Sequence, residues 1–440
     1  MSAHQLDDSK TYRDLLSALK PPPQTSWQSL QQASLARFQA LGFPTRHHEG
    51  WKYVPVERIL NTACAEKLSG VVSDKGQALL KPYFLEKTNF ERIAFVDGML
   101  DQSSSVIKHL PAGVRLISLA AALEEQKDLQ ERLAARLTEE PNALAAANGF
   151  QFQDGVYLFV PKHQKLTLPI HLLIAQLGHH GNALSQHLRF AVELADDAQA
   201  EIVCDHLGMT EQSYLSNTVF EFTVGRHARL KCFNIERHGR AAIHLNAMRF
   251  FLKEDARLDL LSYSHGGITT RNDLHVTFEG PNASCYLKGL AVMNDDSQTF
   301  QHVHVKHQVP NCTSRQVFKN IAAGRGVTEV NSLVHMVRDA QKSDSHQLIR
   351  NLLLSPAAHA YARPQLKIYA DDVKAAHGAA TGQLGREELF YLKSRGLSEK
   401  MARFVLTYGF AEEIVEDIPF PTIRSQIETD MKNEIEKLVT

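Results

Sequence analysis

A short turn recurs at nearly constant spacing through the middle of the chain, and this spacing limits the folds that the chain can adopt. Each turn has a polar or charged residue followed by a small residue, after which apolar and polar residues alternate again. The six turns are Asp197-Ala198, His227-Ala228, Asp255-Ala256, Asn282-Ala283, Asn311-Cys312 and Asp339-Ala340. Successive small residues lie 30, 28, 27, 29 and 28 positions apart. Six repeats of this length indicate a stacked architecture.

The segments that lead into these turns have the composition of strands. Residues 187–194, 218–224, 247–253 and 273–279 are short and β-rich, and none has a helix-length apolar pattern. Tetratricopeptide and ankyrin arrays are therefore disfavoured. A β-solenoid with one coil per repeat explains the small residue, because coils stacked about 4.8 Å apart leave little room inside a bend. An antiparallel β-sandwich is the alternative, although hairpin turns of the N-G or D-G type are missing between these strands.

The solenoid is predicted to span residues 151–384 and to follow a mostly helical domain over residues 1–150. Apolar residues near helical spacing indicate a first helix around Leu30, Leu35 and Phe38. Residues 116–137 have helix composition, and residues 92–98 are typical of a strand that ends in a D-G turn. The run Pro21-Pro22-Pro23 is typical of an extended spacer.

Residues 385–440 are predicted to form a separate helical domain. Helices are expected over 387–395, over 398–408 with Gly409 as the stop, over 411–418, and from Thr422 onward. The last helix has an apolar stripe made of Ile423, Ile427, Met431, Ile435 and Leu438. Such a stripe needs a partner surface. Packing onto its own chain and docking to another subunit are the two interpretations.

Composition excludes several function classes. The 440 residues suggest two or three domains. A formal charge of -1, from 48 basic and 49 acidic residues, argues against binding nucleic acid or anionic membrane by bulk charge. No apolar run approaches the roughly 18 residues of a membrane span. There is no Gly-x-x-x-x-Gly-Lys motif for ATP, so nucleotide hydrolysis through a P-loop is not expected.

Four of the five cysteines are predicted to be structural. Cys64, Cys204, Cys232, Cys285 and Cys312 include no C-x-x-C pair, which excludes a zinc knuckle and a closely spaced cluster motif. Their odd number and the polar start of the chain suggest a reducing cytoplasm. Cys312 fills the small position of a turn, and the next three upstream lie in strand-like segments, so burial is the expected state of all four.

Two further patterns support alternative functions. His302 and His304 alternate on one face of a strand, so an autonomous histidine-based metal-binding protein is one hypothesis, against that of a solvated strand face. Many solenoids act on polysaccharides with paired carboxylates. The close pairs here are Asp295-Asp296 and Asp371-Asp372. Adjacent strand residues point to opposite faces, so neither pair is expected to converge.

Two stretches carry a family resemblance. The first is Gly42-Phe43-Pro44-Thr45-Arg46-His47-His48-Glu49-Gly50-Trp51-Lys52-Tyr53. The second has the parts Pro310-Asn311-Cys312-Thr313-Ser314-Arg315-Gln316, Lys319, Asp339-Ala340-Gln341-Lys342, Asn351-Leu352-Leu353-Leu354-Ser355, Pro364-Gln365-Leu366-Lys367-Ile368, Asp371-Asp372-Val373-Lys374, His377-Gly378-Ala379, Leu389-Phe390-Tyr391-Leu392 and Ser394-Arg395-Gly396. Together they resemble the SufB/SufD family of iron–sulfur cluster assembly proteins. The Trp-Lys-Tyr element and the length resemble the SufD branch of that family.

The resemblance implies a right-handed parallel β-helix between an N-terminal domain and a C-terminal helical domain. It implies a non-catalytic scaffold in a cytoplasmic complex with SufB, which pairs with the β-helix, and with the ATPase SufC, which binds the C-terminal helices. A cysteine desulfurase would supply sulfur indirectly. The complex would hold a transient iron–sulfur cluster, with reduced flavin linked to it and no cofactor tightly bound to the isolated chain. The resemblance does not determine whether the chain forms a homodimer in the absence of SufB.

The resemblance also implies roles for individual residues. His377 corresponds to a candidate cluster ligand at the SufB interface, and a structural histidine at the solenoid end is the alternative. The residues before it are Ala375-Ala376, where the family often has Cys-Ser, so a thiol role at that position cannot operate here. Trp51, Lys52 and Tyr53 are expected to pack and cap the N-terminal domain. The SufC-docking segment is expected to include Leu389, Phe390, Tyr391, Arg395, Gly396, Phe404 and Phe410.

Overall fold

The computed structural model describes residues 27–63, 66–67, 74–85, 90–178 and 184–439. The predicted proline spacer at 21–23 and Cys64 lie outside these ranges. The N-terminal elements are α1 (Gln28–Leu41), a 3₁₀ turn (Glu49–Trp51), α2 (Val56–Ala63), β1 (Glu66–Lys67), α3 (Asp74–Leu80), a second 3₁₀ turn (Lys81–Tyr83), β2 (Glu91–Val96), β3 (Met99–Leu100), β4 (Arg115–Ser118), α4 (Leu119–Glu125), α5 (Lys127–Thr138) and α6 (Ala143–Gln151).

The N-terminal predictions are confirmed in two places and wrong in one. Helix α1 covers the predicted apolar positions, and β2 turns into β3 through Asp97 and Gly98, both with positive φ. The segment 116–137 is not one helix. It begins in β4, which pairs antiparallel with the first solenoid strand. Its helical part is then divided between α4 and α5, because Gln126 is extended, with φ −124° and ψ 96°.

The middle of the chain forms two sheets whose strands alternate along the sequence. The first sheet contains β5 (Asp154–Val160), β7 (Leu184–Leu194), β9 (Tyr214–Val224), β11 (Ala242–Leu252), β13 (Thr269–Phe278), β15 (Gln298–His307), β17 (Val327–Met336) and β19 (His359–Ile368). The second contains β6 (Ile170–Gln176), β8 (Gln199–Gly208), β10 (Arg229–His238), β12 (Arg257–Gly266), β14 (Ser284–Met293), β16 (Thr313–Ala322), β18 (Asp344–Leu353) and β20 (Lys374–Gly382).

Each solenoid strand pairs in parallel with the strand two places along the chain. Strand β10, for example, pairs residue by residue with β8 on one side and with β12 on the other. This pairing builds a β-solenoid of about seven turns, with one strand of each coil in each sheet. The predicted solenoid is confirmed, and the sandwich alternative is excluded because its strands would run antiparallel.

The repeated turn is a tight corner that buries its small residue. Asp197, His227, Asp255, Asn282 and Asn311 all have φ between 54° and 61°. Asn, Asp and His tolerate this left-handed conformation better than other side chains. The residue that follows each of them is fully buried: Ala198, Ala228, Ala256, Ala283 or Cys312. At the second corner the Ala228 N–H donates to Gly225 O at 3.1 Å, which closes the turn.

The predicted position of the sixth turn, Asp339-Ala340, is wrong, because the corner lies at Lys342-Ser343. The register pairs Thr313 with Asp344, so Ser343 stacks on Cys312, and the true step is 31 residues. Lys342, with φ 59°, takes the left-handed position expected for Asp339. Ala340 is buried but closes a separate turn, because its N–H donates to Val337 O. This coil is three residues longer than a 28-residue coil, and Ala340 lies 28 residues after Cys312 by coincidence.

Three helices follow the last strand: α7 (Arg386–Ser394), α8 (Glu399–Val415) and α9 (Pro421–Leu438). Gly409 does not stop a helix, and the two helices predicted around it are the single helix α8. A glycine inside a helix costs only about 1 kcal/mol. Burial of Ala411, Ile414 and Val415 beyond it offsets that penalty.

The apolar stripe of the last helix packs onto its own chain. Ile423, Ile427, Met431 and Ile435 are buried against outward-facing residues of the second sheet, which include Phe233, Ile235, Leu261, Tyr263, Leu290 and Val292. Docking of this stripe to another subunit is therefore excluded. Within the described ranges, no helix is both long and apolar enough to span a membrane.

Candidate functional site at the open end of the solenoid

The solenoid ends in two strands that have a neighbour on one side only. In the described part of the chain, β19 and β20 terminate the strand order of the first and second sheet. The Lys374 N–H of β20 donates to Ser343 O at 2.9 Å, towards the preceding coil. In a parallel strand, successive residues direct their backbone N–H and C=O groups to opposite sides of the strand. Lys374 bonds to the preceding coil, so His377, three residues later, directs its backbone groups away from the solenoid. Such an edge is a template for another strand.

His377 lies on β20 at the mouth of the solenoid interior. It is exposed and is paired in register with Gln347 of β18, which is paired in turn with Gln316 of β16. Partners in a parallel ladder project from the same face. Gln347 is an interior residue, because its amide donates to Ser332 Oγ of the opposite sheet at 2.7 Å. The imidazole therefore stands over a row of buried amides.

A second interior row beside it is also polar. The Asn320 amide donates to Asn351 Oδ1 at 2.7 Å, and the Asn351 amide donates to Thr381 Oγ1 at 3.0 Å. Ser332 Oγ donates to Gln316 Oε1 at 2.6 Å and links the two sheets. Nothing in the sequence patterns above predicted this polar half of the interior. The available signal was the alternation of Asn and Gln with apolar residues inside strands, which looks like an ordinary solvated face.

The four described cysteines are buried. Burial raises the pKa of Cys312 to about 12 and raises the pKa of Cys204 and Cys285 well above the usual thiol range. Cys312 contacts the carbonyl oxygens of Gly280 and Pro310. Metal ligation and sulfur transfer need a thiolate, which burial disfavours. The predicted burial of Cys204, Cys232, Cys285 and Cys312 is confirmed.

His302 and His304 share the outer face of β15 but have different neighbours. His302 Nε2 lies 3.5 Å from Glu329 Oε2. The His304 ring lies between the rings of His275 and His335, at 5.4 and 6.1 Å. Burial lowers the pKa of His302, and burial followed by the positive charges of His335 and Lys306 lowers that of His304 to about 4. The prediction of a solvated face is wrong, since α5, α6 and the N-terminal turn cover much of this sheet.

The Trp-Lys-Tyr element was predicted to pack and cap the N-terminal domain, and its two aromatic rings also contact the solenoid. Trp51 is buried, and the Arg271 guanidinium lies 3.7 Å from its ring centroid. The Tyr53 ring stacks on Tyr361 of β19 with centroids 4.0 Å apart. The N-terminal region thus supports one of the two open strands.

In the acidic pair at 295–296 the two carboxylates have separate partners, as expected. Asp295 Oδ2 lies 3.2 Å from the Arg240 guanidinium, whereas Asp296 accepts two hydrogen bonds from Arg325 at 2.7 Å. Neutralised carboxylates with separate partners do not form the facing pair of a glycosidase.

The residues predicted for docking divide into an outward and an inward group. Phe390 and Tyr391 on α7 are 74% and 56% exposed, and Met401 and Val405 on α8 extend this apolar surface at 51% and 41%. Arg395 lies over the Tyr391 ring at 5.3 Å, beside the exposed Gly396. Leu389, Phe404 and Phe410 are half-buried, and the last two pack towards the solenoid. We call Phe390, Tyr391, Met401 and Val405 the aromatic patch.

Buried Lys319 fixes the helices that carry the aromatic patch to the solenoid. From strand β16 its ammonium donates to Phe410 O at 2.9 Å and pairs with Glu413, both on α8. The patch is therefore held in a fixed position relative to the open end of the solenoid.

Comparison with known proteins gives a consistent set of relatives. The family model for the SufBD core domain of SUF system FeS cluster assembly matches residues 177–410, and the model for the SufBD protein N-terminal region matches residues 8–172. The iron-sulfur cluster assembly protein SufD of Escherichia coli is 27% identical over 398 residues, covering 90% of each chain. The chloroplastic protein ABCI7 of Arabidopsis thaliana is 27% identical over 439 residues, 96% of this chain and 89% of its own. A SufBD family protein of Mycobacterium leprae is 30% identical over 306 residues, 67% of this chain and 76% of its own.

Proposed function

The chain belongs to the SufBD family of iron–sulfur cluster assembly proteins, and we propose that it is the SufD-type scaffold subunit of a cytoplasmic complex with SufB and the ATPase SufC. The family model of the core domain matches more than half of the chain, and the E. coli relative named SufD is covered along nearly its whole length. In this proposal the chain is not a catalyst. ATP hydrolysis belongs to SufC, and a cysteine desulfurase delivers sulfur to the complex indirectly.

The observation that carries the proposal is the pair of open strand edges. Two ten-stranded sheets end side by side at β19 and β20, and each edge presents unpaired backbone groups. A long unpaired edge invites aggregation unless a partner covers it. A second solenoid of the same family, such as SufB, can satisfy both edges at once. A second copy of this chain can do so less specifically when SufB is absent.

His377 is the residue that we propose at the cluster. A neutral imidazole is a suitable ligand for iron. Its exposure at the edge makes it reachable from the partner, whereas Ala375 and Ala376 offer no ligand atom. The remaining ligands would then come from SufB. The cluster is cargo of the complex, so the isolated chain is not expected to hold it, and reduced flavin stays a prediction from the family.

Replacing His377 with alanine should lower the yield of cluster on the complex severalfold while SufB remains bound. The substitution removes an exposed imidazole but no backbone hydrogen bond, so the edge strand is unchanged. The measurement is iron, sulfide and visible absorption of the copurified complex, prepared without oxygen. His359→Ala, at an exposed histidine of β19, is the matched control and should keep the wild-type yield. An unchanged yield in His377→Ala would remove the ligand role.

We further propose that the aromatic patch binds SufC. Four large apolar side chains on the neighbouring helices α7 and α8 are exposed, and exposed apolar side chains of this size mark protein contacts. The double variant Phe390→Asp, Tyr391→Asp should reduce the SufC recovered with a tagged chain at least tenfold and leave SufB recovery unchanged. Charge in a buried interface is strongly unfavourable.

The control for this variant adds the same charge elsewhere in the helical region. Ser425→Asp with Asn433→Asp changes two exposed positions of α9 and should retain both partners. Full SufC recovery with the patch variant would contradict the location of the SufC site. Capture of neither partner by the unaltered chain, coexpressed with both, would contradict the proposed function itself.

A further inference from the structure

Three histidines and one glutamate meet inside the solenoid, far from the residues assigned above. His206 comes from β8, Glu236 and His238 from β10, and His244 from β11 of the opposite sheet. The His244 ring lies 4.6 Å from the His206 ring and 4.3 Å from the His238 ring, between centroids. Ligand atoms of Glu236, His238 and His244 all lie within 4.8 Å of one another. We call these four residues the histidine cluster.

The nitrogens of the cluster are buried without partners. His206 and His244 have no hydrogen bond at either ring nitrogen, and His238 has none at Nε2. His238 Nδ1 lies 3.1 Å from Tyr214 Oη, and His244 Nε2 approaches Glu236 Oε1 at 3.4 Å without hydrogen-bond alignment. All three histidines are at least nine-tenths buried. Five buried ring nitrogens without a partner are an unusual concentration of unsatisfied polar groups, and a bound ion would satisfy one nitrogen of each ring.

The environment of these side chains suits metal ligation. The three imidazoles are buried, and five of their six ring nitrogens have no hydrogen-bond partner, so each ring has a nitrogen available as a ligand. Glu236 is held by amides, with Asn234 and Asn246 donating to Oε1 at 3.0 and 3.1 Å and Asn272 to Oε2 at 2.8 Å. Second-layer hydrogen bonds of this type fix the ligands of known metal sites.

The cluster has a route to solvent. His238 lines a cavity of about 390 Å³ between the solenoid turns and α9, whose wall carries both acidic and basic side chains, including Glu211, Glu434, Arg240 and Lys437. His265 lines the same cavity, and its Nε2 is also buried without a partner. The cavity therefore brings solvent to His238, at the edge of the cluster.

We propose that the histidine cluster binds a divalent first-row transition-metal ion, with His238, His244 and Glu236 as primary ligands and His206 as the fourth. Imidazole with one carboxylate suits Zn²⁺, Fe²⁺ and Co²⁺ in a four-coordinate site. The ligand atoms of the three primary residues, which lie within 4.8 Å of one another, must move closer together to reach metal–nitrogen distances of about 2.1 Å. The site departs from the expectation that the isolated chain holds no metal. It does not depend on the proposed partners.

The test uses the full-length chain without a histidine tag, treated with chelator and titrated with Co²⁺ under anaerobic conditions. We expect one equivalent to bind with the visible absorption bands of four-coordinate Co²⁺, and Zn²⁺ to displace it. His238→Gln and His244→Gln should each weaken binding at least tenfold. His307→Gln changes a buried interior histidine outside the cluster and should bind as the wild type does.

A second measurement covers the case in which a cluster variant does not fold. Zn²⁺ added to the unaltered chain should raise its thermal midpoint in a concentration-dependent manner, because a ligand that binds the folded state stabilises it. This shift should be lost in His238→Gln, at the cavity wall. Absence of saturable Co²⁺ binding and of a Zn²⁺-dependent shift in the unaltered chain would overturn the site, as would equal affinity in the three variants.

Discussion

Replacing Arg237 with alanine should lower the free energy of unfolding by about 3–5 kcal/mol. Arg237 is buried on the outer face of β10 and donates to both carboxylate oxygens of Asp205 at 2.5 and 2.6 Å. It also pairs with Asp430 of α9 at 3.2 Å and stacks over the Tyr83 ring at 4.6 Å. One guanidinium thus joins the solenoid, the last helix and the N-terminal region.

The size of the effect follows from the carboxylate that the substitution leaves behind. Burial alone raises the pKa of Asp205, but Arg237 and His171 together hold it below its usual value, so the carboxylate is charged. His171 Nε2 lies only 3.3 Å from Asp205 Oδ2 and is itself buried. Without Arg237, the fold must bury that charge with a neutral histidine or protonate it. Both alternatives are unfavourable in a low-dielectric site.

Urea denaturation of the two proteins at pH 7 gives the difference directly. The matched control is Arg226→Ala, which breaks an exposed, solvent-screened pair with Asp196 and should change the stability far less than Arg237→Ala. Loss of Arg237 should also affect the proposed SufC site, because α9, which Arg237 anchors, shares one apolar cluster with α8 and the solenoid. We therefore expect Arg237→Ala to weaken SufC capture as well. Equal stability losses for the two arginines would contradict the anchoring role.

The comparison of sequence with structure shows which features local patterns encode. Corner residues such as Ala228 and Cys312 could be predicted because stacking forces a small side chain into the same place in every coil. The stripe of α9 could be predicted as buried, but only the structure identifies the outer face of the second sheet as its partner. The position of the sixth corner could not be predicted, because three residues were inserted without changing the apparent spacing.

The polar interior was beyond prediction for a different reason. Alternation in a strand separates two faces but does not say which face is enclosed, so Asn351 and Glu236 looked like solvated residues. The histidine cluster is also non-local, since His206 and His244 lie 38 positions apart on opposite sheets. Much of the histidine surplus is thereby explained: many of these rings are buried and neutral inside or beneath the solenoid.

These buried histidines predict a marked loss of stability in mild acid. Burial lowers the pKa of His307 to about 3, and its Nε2 lies 3.0 Å from Ser314 Oγ in the interior. His304 titrates at about 4, beside His275, His335 and Lys306. The unfolded chain takes up a proton at each position as the pH falls through about 6.5. The folded chain does not take up these protons. The contribution of each buried neutral histidine to the free energy of unfolding is therefore complete above pH 6.5 and is lost progressively towards pH 3 to 4.

At pH 5 each such histidine removes about 2 kcal/mol, since the pH then lies about 1.5 units below the unfolded pKa. His304 and His307 together account for about 4 kcal/mol of a stability that is typically 5–15 kcal/mol. Carboxylates with lowered pKa values, such as Asp205 and Asp344, stay charged throughout this window and do not contribute to the loss.

Denaturant unfolding from pH 7.5 to 5, with chelator present, measures the slope of the free energy of unfolding against pH. His307→Gln keeps a donor near Ser314 and should flatten the slope, whereas His359→Gln, at an exposed site, should leave it unchanged. A stability that does not change between pH 7 and pH 5 would show that the interior histidines are not held neutral by burial.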